Sequence, residues 1–310
     1  MSVAPTTAEN MVRAADDIDL DWRNVVLAGV RVSLSEPKSD PHENRLGVTF
    51  LLTGAMIPER QYTSTRKILV EDCHQVVIGL YINVLTTAHQ WYADQLPLIY
   101  RAYVEQREQQ QKEKDANRTG SPSIDNGYNV VGHSVGAKIC LLAATGGQSQ
   151  EEPLQSSSSK PEPPVRTILA MDPVDLNPSV FTSSQRQEIS TLHASRVILT
   201  WATATSAWSL PPRHNAKAIY EALSNDNSSN NKHDIQRHQD CLQPLIRHEG
   251  ASHMAYTDHW GSNSSGMMGW WVSQCLMPGG NEEANRAALH NVHELIRQDF
   301  AHQHEKGNRG

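Results

Sequence analysis

The chain has 310 residues, 38% of them hydrophobic, which is enough to bury one large α/β core or two small ones, and a single domain over 21–303 is the expected organisation. A net charge of −7, with no Lys/Arg stripe interleaved with aromatics, argues against nucleic acid as a partner and for a neutral or apolar small molecule. No run is long enough to span a bilayer: the longest apolar stretch, Val76–Leu85, is short and contains Asn83.

Residues 1–20 are polar and acidic, lack the apolar core of a secretory signal, and are expected to be a flexible lead-in. Apolar runs rich in β-branched residues then recur at 25–34, 46–52, 76–82, 128–131, 165–171 and 196–202, with helical patterns between them. Such alternation predicts a mostly parallel sheet covered by helices on both faces. The first two runs, joined by the polar stretch 35–44, read as an antiparallel entry to that sheet. A polar helix is predicted over 90–115, and the apolar face formed by Ala284, Ala287, Ala288, Val292, Leu295 and Ile296 predicts a terminal helix over 281–300. Two Ser/Asn/Pro-rich stretches, 146–164 and 224–238, have almost nothing to bury and read as polar insertions, and 304–310 reads as a flexible tail. The four cysteines, at 73, 140, 241 and 275, are too scattered for a disulfide framework, and only a Cys241–Cys275 pairing stays open.

The chemistry is concentrated in Tyr128–Ala137, where a short apolar strand runs into Gly132-His-Ser-Val-Gly136 and then into the helical pattern Lys138–Ala144. This strand, G-x-S-x-G and helix sequence is what holds a nucleophilic serine on a sharp turn, its flanking glycines avoiding clashes, so Ser134 is the candidate nucleophile. A serine hydroxyl needs a histidine base and a carboxylate that orients it, in the α/β-hydrolase order Ser, acid, His. Asp172 ends the run 165–171 and precedes Pro173, at the carboxyl end of a strand where such sheets place their sites; Asp175 is the second candidate acid. Of fifteen histidines, His253 lies in the loop between a candidate last strand at 242–247 and the terminal helix, with His259 and His248 as alternatives. His290 and His293 read as surface residues of that helix, and His133 as a neighbour of the nucleophile. Two backbone N–H donors are needed for the oxyanion. Val135 supplies one, and the turn Thr53-Gly54-Ala55-Met56 supplies the other through Ala55 or Met56.

The blocks GHSVGAK (132–138), ILAMDPVD (168–175), SHMAYTD (252–258) and TFLLTGAMIP (49–58) resemble those of chlorophyllases, whose patterns are GHSRGG, a strand ending in I-D-P-V, GHMDMLDD and LLFLHGF. The likeness runs from about residue 46 to 260 in four short blocks separated by poorly matching loops. It implies an α/β-hydrolase fold and a serine carboxylesterase with Ser134 as nucleophile, Asp172 as acid and His253 as base. The expected substrate is the phytyl ester of chlorophyll, cleaved to chlorophyllide and phytol without cofactor or metal. Asp258 matches the first aspartate of the family's LDD and is expected to be a structural partner. Val135 replaces the family's arginine, Ala137 its second glycine, Thr53 the histidine of HGF and Ser252 the glycine before the catalytic histidine. These departures suggest a distant, algal-type member.

An apolar alcohol needs apolar walls, and Met56 and Ile57 beside the oxyanion turn are the favoured substrate contacts, with Leu80, Tyr81, Trp201, Trp208 and Leu210 as further candidates. The cluster GMMGWW (266–271) is a candidate pigment or peripheral membrane contact, with packing against the terminal helix as the duller account. The resemblance would place the protein in a plastid or another membrane-associated compartment. Competing readings are a lipase or cutinase-like esterase, a metal site built on the histidines at 233, 238, 248, 253 and 259, and a non-catalytic relative.

Overall fold

The computed structural model describes residues 23–38, 45–55, 57–82, 88–114, 123–145, 162–175, 179–181, 193–204, 214–224, 240–258 and 281–301. The terminal segments, most of the two polar insertions, Cys275 and GMMGWW lie outside them. Strand β1 (Arg23–Leu27) forms a hairpin with β2 (Val30–Ser35). The run expected as one strand at 25–34 is broken there by Ala28 and Gly29, whose φ angles of 48° and 78° make the left-handed two-residue turn that a twisted hairpin needs. β2 then pairs antiparallel with β4 (Gln75–Leu80), not with β3 (Arg45–Leu52), so the antiparallel entry joins the sheet one strand further on than expected.

From β4 onward the pairing is parallel, through β3, β6 (Tyr128–His133), β7 (Val165–Met171), β8 (Arg196–Ala202) and β9 (Ile246–His248). The nine-stranded sheet has the order β1-β2-β4-β3-β6-β7-β8-β9, with the two-residue β5 (Ser123–Ile124) beside β3. β9 is shorter than the run predicted at 242–247, because Leu242 makes only an isolated bridge to Val197.

The central strands are buried on both faces, which is why they read as continuous Val/Ile/Leu runs. Their side chains alternate between two cores. Phe50, Leu52, Ile78, Val130, Ile168 and Leu199 face one core, shared with α2 (His89–Lys114), α3 (Val135–Ala144) and α4 (Ala216–Ser224). Leu51, Val77, Val131, Leu169 and Ile198 face the other. That second core is closed by α1 (Thr63–Lys67), the π turn Ile68–Asp72 that continues it, and α5 (Glu282–Ala301), through Leu69, Val292, Ile296 and Phe300. Among the described residues no helix is long and apolar enough to cross a membrane.

Two buried cations hold helices to the sheet. Arg66 of α1, 1% exposed, donates from Nη2 to Ser33 Oγ (2.9 Å) and Ser33 O (3.1 Å) on β2, while its Nη1 pairs with Glu59 at 3.3 Å. Lys138 in the first turn of α3 pairs at 3.1 Å with Asp175, both side chains fully buried. Asp175 also accepts from Val180 N–H (2.8 Å) and Ser179 Oγ (3.0 Å), so it gathers the chain beyond β7 onto α3. Burial pulls the Lys138 ammonium pKa down and the facing carboxylate pushes it back up. Lys138→Met takes the buried ammonium away from the Asp175 carboxylate and is expected to cost about 3–5 kcal/mol of unfolding free energy. The Lys138→Met/Asp175→Ala double variant should be less destabilised than the sum of the singles, which urea titration of all four forms checks.

Candidate active site

β6 delivers Ser134 onto its turn with φ 57° and ψ −119°, outside the regions that non-glycine residues ordinarily occupy. The two flanking glycines permit this by leaving room. A Cβ on Gly132 would stand 2.5 Å from Cys140 Sγ and 2.6 Å from Gly136 O, and one on Gly136 would stand 2.5 Å from both Leu52 O and Thr53 O. Ser134 N–H donates to Met171 O at 3.0 Å, and Ser134 C=O accepts from Lys138 N–H at 3.2 Å. An antiparallel β2, parallel strands beyond it and a serine on this elbow after the central strand β6 decide the topology. The chain has the α/β-hydrolase fold.

In an α/β-hydrolase the chemistry sits at the carboxyl ends of the strands, and Asp172 and His253 lie there. Asp172 follows β7 at φ 43°, a left-handed conformation that aspartate tolerates better than most residues. Its N–H donates to Thr200 O at 3.1 Å, its Oδ1 accepts from Ala202 N–H at 3.3 Å, and its Oδ2 lies 2.6 Å from His253 Nδ1. His253 opens the 3₁₀ turn His253–Tyr256 after β9, is 1% exposed, and stacks on His133 at a centroid distance of 4.6 Å. With Nδ1 committed to Asp172, Nε2 is the ring nitrogen left over; it is buried and has no hydrogen-bond partner among the described residues. Ser134 Oγ does not bond to it in this structure; such bonds are often long until substrate is bound.

The loop carrying His253 is held on several sides. Ser252 N–H donates to Asn285 Oδ1 of α5 at 2.8 Å, and His253 C=O accepts from His133 Nε2 at 2.9 Å. Asp258 follows in the same segment. It caps α1, accepting from Ser64 N–H at 2.9 Å and from Ser64 Oγ, while its own N–H donates to Gln61 O at 2.8 Å. Asp175, the second candidate acid, is committed to Lys138 instead. His248, an alternative base, is buried behind Asp172, where its Nδ1 lies 2.9 Å from Tyr256 Oη; His259 lies outside the described residues.

Val135 is the first residue of α3, so its N–H has no acceptor within the helix. The Ala55 N–H likewise makes no hydrogen bond among the described residues. The tight seat of Gly136 on Leu52 and Thr53 brings the start of α3 against the turn that carries Ala55. In that turn Gly54 O accepts from Ile57 N–H at 3.1 Å. Thr53, in the position of the histidine of HGF, accepts at Oγ1 from Ile82 N–H (3.2 Å) and so pins the turn to the end of β4. Ile57 is partly exposed beside Gly54, whereas Met56, Trp208 and Leu210 lie outside the described residues. Leu80 is 1% exposed and packs in the core. Tyr81 is half exposed, and Trp201 packs under the Arg247 guanidinium, 5.0 Å from its ring centroid. Among the described residues no three His, Cys, Asp or Glu side chains gather as metal ligands.

His133 is the packing and hydrogen-bonding neighbour expected inside the elbow, whereas His293 departs from its expected place. His133 is a fully buried junction whose Nδ1 lies 2.7 Å from Tyr62 Oη, and Tyr62 in turn accepts from Gly54 N–H at 3.0 Å. Tyr62 carries no sequence signal; it falls in an unremarkable stretch, Glu59–Tyr62, that only the fold brings to the elbow. His293, expected at the surface, is partly buried against α1, with Ser64 Oγ and Thr65 Oγ1 each 3.3 Å from its Nε2.

No protein-family model and no curated protein matches this chain. Among solved structures it is similar to the apo form of esterase 2 from Thermogutta terrifontis, at 13% identity and a TM-score of 0.47, covering 91% of this chain and 96% of that one. It is also similar to an esterase from Pyrobaculum calidifontis, at 11% identity and a TM-score of 0.47, covering 96% of this chain and 90% of that one.

Burial, with Arg297 and His290 adding repulsion, pulls the His293 pKa down to about 4. The unfolded chain therefore binds a proton below about pH 6.5 that the folded chain refuses until about pH 4, so stability falls as pH drops through that window. The expected loss attributable to His293 is about 1–3 kcal/mol. Unfolding titrations of wild type and His293→Gln at pH 7 and pH 4.5 check this, the variant showing the shallower decline.

Proposed function

We propose that this chain is a serine carboxylic-ester hydrolase in which Ser134 is the nucleophile, His253 the general base and acid, and Asp172 the group that orients and charge-stabilises the imidazole. The observation that carries this reading is the 2.6 Å contact of Asp172 Oδ2 with His253 Nδ1, which leaves Nε2, buried and without a hydrogen-bond partner among the described residues, as the ring nitrogen able to take a proton. In the first step Ser134 Oγ attacks the ester carbonyl carbon while His253 Nε2 takes the hydroxyl proton. The oxyanion forms against Val135 N–H and Ala55 N–H. Collapse of the tetrahedral intermediate breaks the acyl C–O bond, and His253 returns its proton to the departing alkoxide. Water, deprotonated by the same imidazole, then releases the acid from Ser134.

For the substrate we propose an ester of a large apolar alcohol, and specifically the phytyl ester of chlorophyll. Support for the pigment comes from the four sequence blocks that resemble chlorophyllases. Ile57, partly exposed beside the oxyanion turn, is the described apolar contact, with Met56 next to it in sequence. A general carboxylesterase acting on other apolar esters is the second reading, favoured by Val135 and Thr53 standing where the chlorophyllase pattern has arginine and histidine.

The test is hydrolysis of chlorophyll a in detergent and of p-nitrophenyl butyrate by wild type, Ser134→Ala, Asp172→Asn and Ser252→Ala. Ser134→Ala is expected to lower kcat by about 10⁶, Asp172→Asn by about 10⁴, and Ser252→Ala, which keeps its backbone bond to Asn285, by less than about 3-fold. Chlorophyllide from wild type alone supports the pigment. Turnover of the small ester only removes chlorophyll and keeps the esterase, and activity that survives Ser134→Ala on either substrate sinks the reading.

A further inference from the structure

Gly54, Tyr62, His133 and His253 form one buried line of hydrogen bonds whose direction can be worked out. Gly54 N–H can only donate, so Tyr62 Oη accepts from it at 3.0 Å. His253 C=O can only accept, so His133 Nε2 carries a proton and donates to it at 2.9 Å. Burial and the neighbouring His253 hold His133 well below the usual histidine range, so His133 has a single proton, and it is on Nε2. Nδ1 is therefore an acceptor, and the Tyr62 hydroxyl donates to it at 2.7 Å. Every polar atom in the line is satisfied in one sense only, and neither side chain has a second arrangement that keeps both bonds. Tyr62 and His133 have no solvent exposure.

The two ends of this line are the parts that the proposed chemistry must keep in register. One end is the peptide of Gly54, immediately before Ala55, whose N–H faces the oxyanion in the esterase reading. The other end is the backbone carbonyl of His253 itself. Tyr62 is also held from the histidine loop, because Asp258 N–H bonds Gln61 O at 2.8 Å.

We propose, building on the esterase reading, that Tyr62 is a positioning residue for the oxyanion donor: its hydroxyl, aimed by the Nε2–H tautomer of His133, fixes the Gly54 peptide and so the direction of Ala55 N–H. Tyr62 touches no substrate. Its influence is on the transition state, since the donor it aims is needed most when charge develops on the carbonyl oxygen.

The test compares wild type, Ser134→Ala and Tyr62→Phe with p-nitrophenyl butyrate, together with inhibition by a butyl trifluoromethyl ketone, which forms the oxyanion adduct, and by the matching methyl ketone, which does not. Tyr62→Phe is expected to lower kcat about 10- to 100-fold with KM changed less than about 3-fold, and to weaken the trifluoromethyl ketone by a similar factor while the methyl ketone is unaffected. Wild-type kcat in Tyr62→Phe, or a loss confined to KM or to thermal stability, overturns the positioning role and leaves the esterase reading intact. If Tyr62→Phe does not fold, Tyr62→Met likewise removes the hydroxyl that meets Gly54 N–H, and the same kcat and ketone pattern is expected of it. Wild-type turnover no greater than that of Ser134→Ala defeats the esterase reading and this proposal with it.

Discussion

The organisation of the site depends on a steric contact at Gly136, where the start of α3 presses so closely on the carbonyls of Leu52 and Thr53 that no side chain fits between them. That contact sets the distance between the serine elbow and the turn after β3, and hence between the Val135 and Ala55 amides. It also obliges the chain to leave β6 through an abrupt bend, and Ser134 takes the strained conformation. Strain of this kind costs on the order of 1–3 kcal/mol and persists only where the surroundings over-determine it. Here they do: α3 is buried along most of its length between β6, β7 and α2, and the backbone of Ser134 is bonded to Met171, Val174 and Lys138.

The polar groups that tie the histidine loop to its surroundings are paired with partners suited to them, whereas His253 Nε2 has none among the described residues. The histidine loop is tied through Asn285 to α5, through His133 to the elbow, and through Asp258 to the start of α1, so one segment is referred to three separate elements. In a water-poor interior these bonds are stronger than their equivalents in solvent and costly to leave half made. A buried network of that kind has a single favourable arrangement. It therefore holds donors and acceptors in place before any charge develops, which is what electrostatic stabilisation of a transition state requires.

Much of this was legible in the residues. The parallel strands announce themselves as Val/Ile/Leu runs because both faces are buried, and β7 and β8 fall at their predicted limits. Glycine spacing marks the elbow because the close approach there admits no other residue. Asp172 is visible as the polar residue that ends an apolar strand. Pairing was harder: Ala28–Gly29 lacks the usual Asn-Gly or Asp-Gly turn signature, and nothing local indicates that β2 would skip β3 for β4. Tyr62 was invisible for a similar reason. Its partners are 8 and 71 residues away in sequence, and only the folded sheet brings them together.

Asp172 and Asp175 show how one short segment separates two carboxylates by environment. Lys138 lies one helical turn beyond Ser134, and its buried ammonium needs a counter-ion. Asp175 supplies it and is further fixed by Val180 N–H and Ser179 Oγ. Among the described residues no lysine or arginine partners the Asp172 carboxylate; its two oxygens meet a backbone amide and the His253 ring. In the proposed reaction the cation that faces it is the imidazolium formed on proton transfer from Ser134. Because Lys138 is neutralised by its own partner, it does not compete for Asp172, and the negative charge of Asp172 stays directed along the Nδ1 contact. The buried ion pair on α3 thus serves the geometry of the elbow and leaves the electrostatics of the histidine to one carboxylate.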